Sequence, residues 1–487
     1  MSQSQDVIVI GAGMAGLTAA ALLAKRGVNV CLLDQNWIPG GCATSYARHG
    51  FVFEAGATTL VGLDEGMPLR WLLDETGITI DAMRLQTPMQ VHLPDGRLLT
   101  RHEDLDTWIG EAEVAFGPNG QRFFWEECFG LSQQVWRSSL RQLRFPPTSI
   151  GDLLSLASKV SLSQLRILPR ALQTTEDLLR KHGLNGHATF RSFVDAQLLI
   201  SAQNHAPEVN ALFGAAALCY TNYGNYYVPG GMRQLVEPIA AYIMRSGGDM
   251  RLRQRVTRIV RTAHGYEVHL HKQPPMRCRQ VISAIPLNNT LPLMDAATQA
   301  RCKSKMMPPE KLWSAFGMGI AFKRSADFAA IHHQILLTEK LPEIDASSIF
   351  VSLSHPDDRS RCAPDECVAA ISTHIGHLDS PRQIDKAAIE ARVVEILTER
   401  GFMRPADILY QHASTPKSWE KWTGRAHGFV GGYPQYKAIK PWQMKDARLD
   451  GKGAYICGDS TYPGQGIPGA CLSGIIAVAK MAADQGW

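Results

Sequence analysis

Two glycine-rich elements at opposite ends of the chain constrain its fold more than any other feature. The first, GAGMAG at residues 11–16, follows the short apolar run VIVI and precedes a long segment typical of a helix. The second, GDSTYPGQGIPGA, occupies residues 458–470. Because the first element is typical of a loop that holds a dinucleotide, we expect both ends of the chain to meet at one elongated ligand.

Each glycine of the first element has its own physical role. The preceding VIVI run is β-branched and uncharged, which predicts a buried parallel strand. Gly11 permits the tight turn, Gly13 lets a pyrophosphate approach the backbone, and Gly16 lets the next helix pack closely on the strand. Met14 and Ala15 lie at the start of that helix, where unpaired N–H groups attract phosphate.

An acidic residue follows the second predicted strand, at residues 28–33. There, the carboxylate of Asp34 can accept hydrogen bonds from both ribose hydroxyls and repels a 2′-phosphate. After it, the turn at residues 39–41 can bring the backbone of Gly41 close to the same ligand. The order of strand, glycines, helix, strand and acid favours a dinucleotide site over a glycine-rich turn with a surface Asp.

Length and charge narrow the remaining possibilities. A chain of 487 residues is too long for one hydrophobic core, so we expect two domains, which can be interleaved in sequence. The net charge of +5 is small and spread out, which argues against nucleic acid and is compatible with weak attraction to anionic lipid. The ten cysteines and sixteen histidines show no metal-type spacing, so we expect no metal and a reducing compartment.

The expected location follows from the apolar segments. The N-terminus leads directly into a strand, so we expect no signal peptide. We also expect no segment of about 18 apolar residues that could span a bilayer. The interpretation is a cytoplasmic protein that is either soluble or peripheral on a membrane surface.

The predicted fold is α/β, with a discontinuous Rossmann-like domain and an inserted α+β domain. The first domain is expected to combine residues 1–85, 225–290 and 445–487, where short buried strands alternate with helices. Residues 86–224 and 291–444 are expected to build the substrate domain. The later insertion includes predicted strands at 316–322 and 368–373 and a helix near 385–400.

The whole chain resembles the phytoene desaturase and carotenoid isomerase family, within the wider amine-oxidase-like flavoproteins. The resemblance rests on GAGMAGLTAAALLAKRG, PGGCATSYARHGFVFEAGATTL, VPGGMRQL and GDSTYPGQGIPGACLSG. Two less common segments, SHPDDRSRCAP and TPKSWEKWTGRAHGFVGGYPQ, indicate the carotenoid isomerase and C-3′,4′-desaturase branch.

The resemblance implies FAD in a Rossmann-like domain, a long apolar tunnel for a lipophilic polyene, and peripheral association with a membrane. It places the backbone of Val256 at the adenine and Asp459 at the ribityl hydroxyls. Gly466 and Ile467 are assigned to the cofactor as well, and a helix beginning near residues 469–470 is expected to stabilise negative charge on the reduced ring.

The chain departs from the resemblance at two positions. Members of the family usually carry Glu where this chain has Asp34, which is a mild chemical change. Many related flavoproteins have Arg after the Gly-Gly doublet, where Cys42 stands here. That substitution removes a cationic contact and puts the phosphate anchoring of this loop in doubt.

The first functional interpretation is desaturation of a polyene, with hydride passing to flavin N5 and quinone or oxygen reoxidising the flavin. No side chain is assigned as a catalytic acid or base. Four tyrosines before Pro229 are predicted to line the tunnel, with plain core packing as the alternative: Tyr220, Tyr223, Tyr226 and Tyr227.

A helix is predicted over residues 150–168, with an apolar face and a basic face. Ile150, Leu153 and Leu154 lie on the apolar side, and Lys159 and Arg166 lie opposite. This pattern is typical of a helix that lies on a membrane surface beside a tunnel mouth. Packing against its own domain is the alternative.

Other functions remain open at this point. Polyene cis–trans isomerisation with reduced FAD and polyene saturation need the same flavin placement as desaturation. A small-molecule amine oxidase or biosynthetic oxidase is a further alternative, as is a non-enzymatic flavin-binding lipid carrier.

Overall fold

The computed structural model of the protein describes residues 5–159, 168–341, 344, 346–379 and 384–486. The strands within these ranges are β1 Gln5–Ile10, β2 Val30–Leu33, β3 Ser45–Arg48, β4 Phe51–Glu54, β5 Met83–Arg84, β6 Met89–His92, β7 Leu98–Arg101, β8 Tyr226–Tyr227, β9 Asp249–Arg251, β10 Val256–Thr262, β11 Gly265–Leu270, β12 Gln273–Ser283, β13 Ser314–Lys323, β14 His332–Leu341, β15 Ala346–Leu353, β16 Glu366–Ile375, β17 Ile408–Ser414 and β18 Ala454–Ile456.

The α-helices of the same ranges connect these strands. They are α1 Met14–Lys25, α2 Pro68–Thr76, α3 Leu105–Phe116, α4 Gln121–Ser139, α5 Ile150–Ala157, α6 Thr175–Lys181, α7 Ala188–Ala202, α8 Ala211–Leu218, α9 Arg233–Arg245, α10 Leu287–Thr290, α11 Ala296–Cys302, α12 Lys386–Glu399, α13 Pro416–Thr423 and α14 Gly466–Gln485.

The first sheet brings distant parts of the chain together. Its order is β10-β11-β12-β1-β2-β9, and β18 pairs with the C-terminal part of β12, at residues 281–283. β1 pairs in parallel with both β2 and β12, so Val7 lies between Val30 and Gln280. β18 also pairs in parallel with β12. The carboxyl ends of β1, β2, β12 and β18 therefore meet at one edge of the sheet, where α/β sheets bind ligands.

Two helices cover the inner strands of this sheet because they are apolar on nearly every face. α1 buries every residue from Met14 to Ala24. It packs against α14, the C-terminal helix, across the small residues Gly474 and Ala15. A Cβ on Gly474 would lie 2.5 Å from the Ala15 carbonyl oxygen, so glycine is required for this close contact.

From the sequence alone, residues 251–260 are predicted to form one strand, and this prediction is wrong. The structure divides the region into β9 and β10, which occupy opposite edges of the sheet. Between them Arg253 has a φ of 58°, which no strand residue adopts. By contrast, the sequence predicts that a strand beginning at residue 51 enters a turn of small residues, and β4 does end at Glu54, before Gly56.

The second sheet combines strands from two separate stretches of the chain. Its order is β17-β13-β16-β15-β14-β6-β7, in which β6 and β7 precede the rest by more than two hundred positions. β6 joins β14 in parallel, with His333 opposite Gln90. Beside this sheet, helices α3, α4, α6, α7 and α8 bury a cluster of apolar side chains that includes Trp108, Trp125 and Phe193.

The expectation that no segment has the length and apolar character of a membrane span is wrong for α14. This helix of 20 residues has a hydropathy of 1.5, and within the described residues it alone passes that test. The sequence interpretation missed it because glycine, proline and serine dilute its first two turns. However, 72% of its apolar window is buried against α1 and neighbouring elements, as in the core helix of a domain.

The predicted helix over residues 150–168 is shorter in the structure. α5 ends at Ala157, and Leu168 belongs to a short 3₁₀ turn that continues to Leu172. The described residues do not include Val160 and Leu165, which belong to the predicted apolar face, or Arg166, which belongs to the predicted basic face.

Candidate functional site

A cavity of about 1570 Å³ opens at the carboxyl ends of the parallel strands. At that end its walls include Ile10, Leu33 and Gly458, which directly follow or end β1, β2 and β18. Farther along, the walls are built by β13 and β16 of the second sheet and then by α5 and α8. The cavity therefore extends from the dinucleotide-type turn to the helical part of the molecule.

The glycines of the first motif shape the cavity in two ways. A Cβ placed on Gly13 would meet no atom within 4 Å, because this position faces open cavity. A Cβ on Gly16 would lie 1.9 Å from the Gly11 carbonyl oxygen. Gly11 itself has a φ of 105°, which favours glycine. Thus Gly13 leaves space for a ligand, whereas Gly16 lets α1 pack on the turn.

Asp34 is oriented by the turn that it faces. Its Oδ2 accepts a hydrogen bond from the Ala12 N–H at 2.6 Å, and its Oδ1 accepts one from the Asn36 N–H at 2.7 Å. Burial raises the pKa of the carboxyl, although these two hydrogen bonds oppose the shift. The side chain also lines the cavity, so its remaining lone pairs are available to ligand hydroxyls.

The structure brings the other predicted cofactor residues to the same cavity. With the sole exception of Gly16, the predicted set lines its wall: Gly11, Gly13, Met14, Ala15, Asp34, Gly41, Val256, Asp459, Gly466 and Ile467. α14 begins at Gly466, one turn earlier than expected, so its free N–H groups point toward the cavity from its first residue onward.

Arg425 is a site residue that the sequence interpretation missed. Its Nη2 donates to both carboxylate oxygens of Asp459, at 2.9 and 3.1 Å. Its Nε donates to the Phe429 carbonyl oxygen at 2.8 Å. Burial disfavours the guanidinium charge, but the adjacent Asp459 carboxylate outweighs it and raises the pKa of Arg425. Arg425 lies within the segment TPKSWEKWTGRAHGFVGGYPQ that marks the resemblance, but that segment gave it no role, and the residue belongs to an irregular loop after α13.

Four buried polar atoms on the cavity wall have no hydrogen-bond partner within the described part of the chain. They are Oε1 of Gln203, Nδ1 of His412, Nε1 of Trp419 and Oε1 of Gln465. Buried polar groups in proteins are otherwise almost always paired. These atoms include at least one donor and two acceptors. They fit a ligand whose edge carries both hydrogen-bond donors and acceptors, such as a flavin ring.

Of the four tyrosines predicted to line a tunnel, Tyr220 lies on the wall of this cavity and the other three do not. The hydroxyls of the others bond elsewhere: Tyr223 with Ser132 at 3.0 Å, Tyr226 with Asp64, and Tyr227 with Asp358 at 2.6 Å. The prediction treated the cluster as one surface, but β8 and a 3₁₀ turn direct these side chains differently.

The far end of the cavity is apolar. Its wall there includes apolar side chains from α5, α8 and the loops beside them: Phe145, Leu156, Leu168, Ala171, Leu212, Phe213 and Ala216. This end contrasts with the polar and glycine-rich end at the first sheet. The shape and lining suit a long apolar molecule that reaches the polar end.

Helix α5, at this apolar end, presents its hydrophobic side chains to the outside. Ile150, Leu153 and Leu154 are 78%, 56% and 68% exposed. Asp152 is the one buried residue of α5, and Arg448 Nη1 donates to its Oδ2 at 2.6 Å. The ion pair between Asp152 and Arg448 therefore holds α5 in place, while the apolar side chains of the helix are exposed to solvent.

Comparisons with known proteins agree with these features. Residues 14–482 match the family described as flavin containing amine oxidoreductase. Prolycopene isomerase 2, chloroplastic, of an Oncidium hybrid cultivar is 26% identical over 100% of this chain and 85% of its own length. Phytoene desaturase of Neurospora crassa is 24% identical over 99% of this chain and 84% of its own. The solved structure of cyclohexylamine oxidase from Brevibacterium oxydans IH-35A covers 100% of both chains with a TM-score of 0.62 at 15% identity, which supports the fold alone.

Proposed function

The chain belongs to the family of flavin-containing amine oxidoreductases, and on that premise we propose that it holds FAD in this cavity and desaturates a long apolar polyene of the carotenoid type. The family implies a flavin. The choice of FAD rests on the glycine turn and Asp34, which suit the diphosphate and ribose of a dinucleotide. Relatives named for polyene chemistry match nearly the whole chain, which supports the substrate class.

Particular residues of this chain would hold the cofactor. The N–H groups of Met14 and Ala15 would bind the pyrophosphate, and Asp34 would accept the ribose hydroxyls. Val256 would contact the adenine and Asp459 the ribityl chain, with Ile467 at the start of α14 beside the ring. Bound flavin supplies a hydride acceptor, which no amino acid side chain provides.

The protein contributes orientation and exclusion of water. The apolar end of the cavity would hold the polyene along one axis, so that one of its bonds lies beside the ring. Burial of the polyene among Leu212, Phe213 and Ala216 removes competing water. The observation that supports the proposal most directly is that one cavity connects the glycine turn at residues 11–16 to an apolar region beside the exposed helix α5.

Cis–trans isomerisation of a polyene is the second candidate. It is favoured by the prolycopene isomerases, which match the full length of this chain at the identities given above. The two reactions need the same placement of polyene and flavin, and they differ in the redox state of the flavin at the start.

An anaerobic assay with a polyene in liposomes separates the two candidates. Desaturation consumes oxidised flavin and gives a product that is lighter by two hydrogens, whereas isomerisation requires prereduced flavin and leaves the mass unchanged. A polyene that remains unaltered with flavin in either redox state would contradict both. Quinone and oxygen can then be compared as acceptors by the rate at which each restores the oxidised flavin.

We also propose that the protein associates with a membrane surface through α5. The exposed side chains of Ile150, Leu153 and Leu154 lie beside the apolar end of the cavity, where a lipid-soluble substrate would arrive. An apolar face of this kind inserts into the boundary between headgroups and acyl chains. The corresponding location is the cytoplasmic surface of a membrane.

A further inference from the structure

We infer that Arg425 is the cation that binds the pyrophosphate of the cofactor, in place of the arginine that related flavoproteins carry after the Gly-Gly doublet. The inference rests on the proposed function in one respect, namely that the bound flavin is FAD. It assigns to this chain a cofactor contact from a different element, 383 positions after the neutral residue Cys42.

The doublet loop of this chain has no positive charge of its own. Cys42 follows Gly40 and Gly41 and lines the cavity. Burial raises the pKa of its thiol, so the side chain is neutral. Two negatively charged phosphates held beside Gly13 and Gly41 would therefore lack a cation from this loop.

Arg425 is the cavity cation that is best shielded from solvent. Within the described chain, the Lys and Arg side chains on the cavity wall are those of Arg255, Lys421 and Arg425. Arg255 and Lys421 are exposed, whereas the Arg425 side chain is 11% exposed. Charge–phosphate contacts are stronger when they are sheltered from water, so Arg425 is the strongest candidate of the three.

The loop that carries Arg425 is fixed over the glycine turn. Asn289 Nδ2 donates to the Gly424 carbonyl oxygen at 2.7 Å, and the Ala426 N–H donates to Asn289 Oδ1 at 3.0 Å. Asn289 lies in α10, the helix that follows β12, and Ile285 in the connection between them would lie 2.9 Å from a Cβ on Gly11. Arg425 is thus held at the carboxyl ends of the parallel strands, where the phosphates of a dinucleotide bind.

The guanidinium of Arg425 is held by two of its three nitrogens. Nη2 donates to Asp459 and Nε to Phe429, as described above, while Nη1 has no hydrogen-bond partner among the described residues. A planar guanidinium with one edge anchored can present its remaining N–H groups to a phosphate. Asp459 would then both orient Arg425 and accept from the ribityl chain.

The test compares the affinities of deflavinated full-length protein for FAD and for riboflavin, which lacks phosphates. For Arg425→Gln we expect the Kd for FAD to rise about 10- to 100-fold. The Kd for riboflavin should change less than about threefold, because riboflavin keeps the contacts to Asp459. Arg425→Lys should show a smaller loss that is again selective for FAD. Titration of flavin fluorescence gives both constants.

The matched control is Arg404→Gln, which removes another arginine from a carboxylate pair. Arg404 pairs with Asp407 and its side chain is 75% exposed, so both affinities should stay unchanged. If Arg425→Gln does not fold, the Arg425→Lys comparison decides. Equal weakening of FAD and riboflavin, or weakening of neither, overturns the inference but leaves the proposed function standing. Wild-type protein that binds no FAD would instead overturn the proposed function.

Discussion

Among single residues, Gly13 and Gly16 of the GAGMAG motif are required for different physical reasons. The missing side chain of Gly13 leaves space in the cavity, whereas that of Gly16 lets α1 touch the Gly11 turn. The two positions differ in what an added methyl group would meet, although the sequence pattern presents them alike. A substitution at each position therefore separates binding from folding.

We predict that Gly13→Ala keeps the fold and loses the flavin. The new methyl group meets nothing within 4 Å and the backbone φ of −73° suits alanine, so unfolding free energy should change by less than about 1 kcal/mol. The Kd for FAD should rise at least about tenfold, because the methyl group occupies the place of the ligand. Thermal unfolding of the deflavinated protein and fluorescence titration measure the two effects.

The comparison variant is Gly16→Ala, whose methyl group would clash with a backbone oxygen 1.9 Å away. It should lower stability by about 2–4 kcal/mol even without flavin. Equal stability of the two deflavinated variants would contradict this assignment.

Buried histidines give the stability of the protein a pH dependence. Burial lowers the pKa of both His332 and His333 to about 3, from an ordinary value of 6.5. Between these values the unfolded chain binds protons that the folded chain does not, so stability falls as pH drops below about 6.5. Each group contributes about 1.4 kcal/mol per pH unit at most.

His333→Gln tests the predicted fall of stability at low pH. Its amide can still donate to the Ala330 carbonyl oxygen that His333 Nε2 contacts at 2.9 Å. We expect the loss of stability between pH 7.5 and 5.5 to shrink by about 1 kcal/mol, as measured by denaturant unfolding. His264→Gln, at an exposed position, should leave the pH slope unchanged. A steeper slope in His333→Gln would refute the argument.

At the level of secondary structure, α5 has one side held by ion pairs and an opposite side whose apolar residues are exposed. Asp152 is buried against Arg448, and Lys480 on α14 lies 3.9 Å from the same carboxylate. A buried carboxylate is stable only with such partners. The helix is therefore fixed in place while Ile150, Leu153 and Leu154 stay exposed.

We predict that Leu153→Glu combined with Leu154→Glu reduces binding to anionic liposomes at least about tenfold, because two carboxylates would enter the apolar boundary. Flotation measures the bound fraction, and circular dichroism checks the fold. The control replaces Val114 and Phe123, exposed residues of α3 and α4 that do not line the cavity, by Glu. Undiminished binding of the α5 variant, or equal loss in the control, would exclude α5 as the membrane contact.

The sequence predicts elements well where the pattern is local. The predicted α/β fold class with a Rossmann-like domain is confirmed, and β1, α1, β2 and α12 lie close to their expected positions. Predictions failed where tertiary contacts decide the outcome. The separation of β9 from β10 depends on which edge of the sheet each strand joins, and the three misplaced tyrosines depend on partners such as Asp358.

The candidate site follows the same division. Asp34 and Gly13 were predicted because strand, turn and helix occur in a fixed order along the chain. Arg425 was not, because its role depends on a loop that returns from the second insertion to the glycine turn. Only the structure shows that Asn289 fixes that loop.

At the scale of the whole molecule, the first sheet, the second sheet and the helical region each supply one part of a continuous cavity. The first sheet provides the polar and glycine-rich end, and α5 and α8 provide the apolar end. The second sheet and the helical region come from two stretches of chain that lie, in sequence, between strands of the first sheet. We therefore expect flavin binding and polyene binding to be separable by substitutions at opposite ends.

The most direct test fills the apolar end with Ala216→Trp and measures flavin content and polyene conversion in the same sample. Ala216 lies on the cavity face of α8, in the part of the wall that also includes Leu212 and Phe213. We predict visible flavin absorption equal to that of the wild type and polyene conversion at least about tenfold slower, because indole occupies the space of the substrate. Undiminished conversion, or loss of flavin in parallel with loss of conversion, would contradict the claim that one cavity holds the flavin at one end and the polyene at the other.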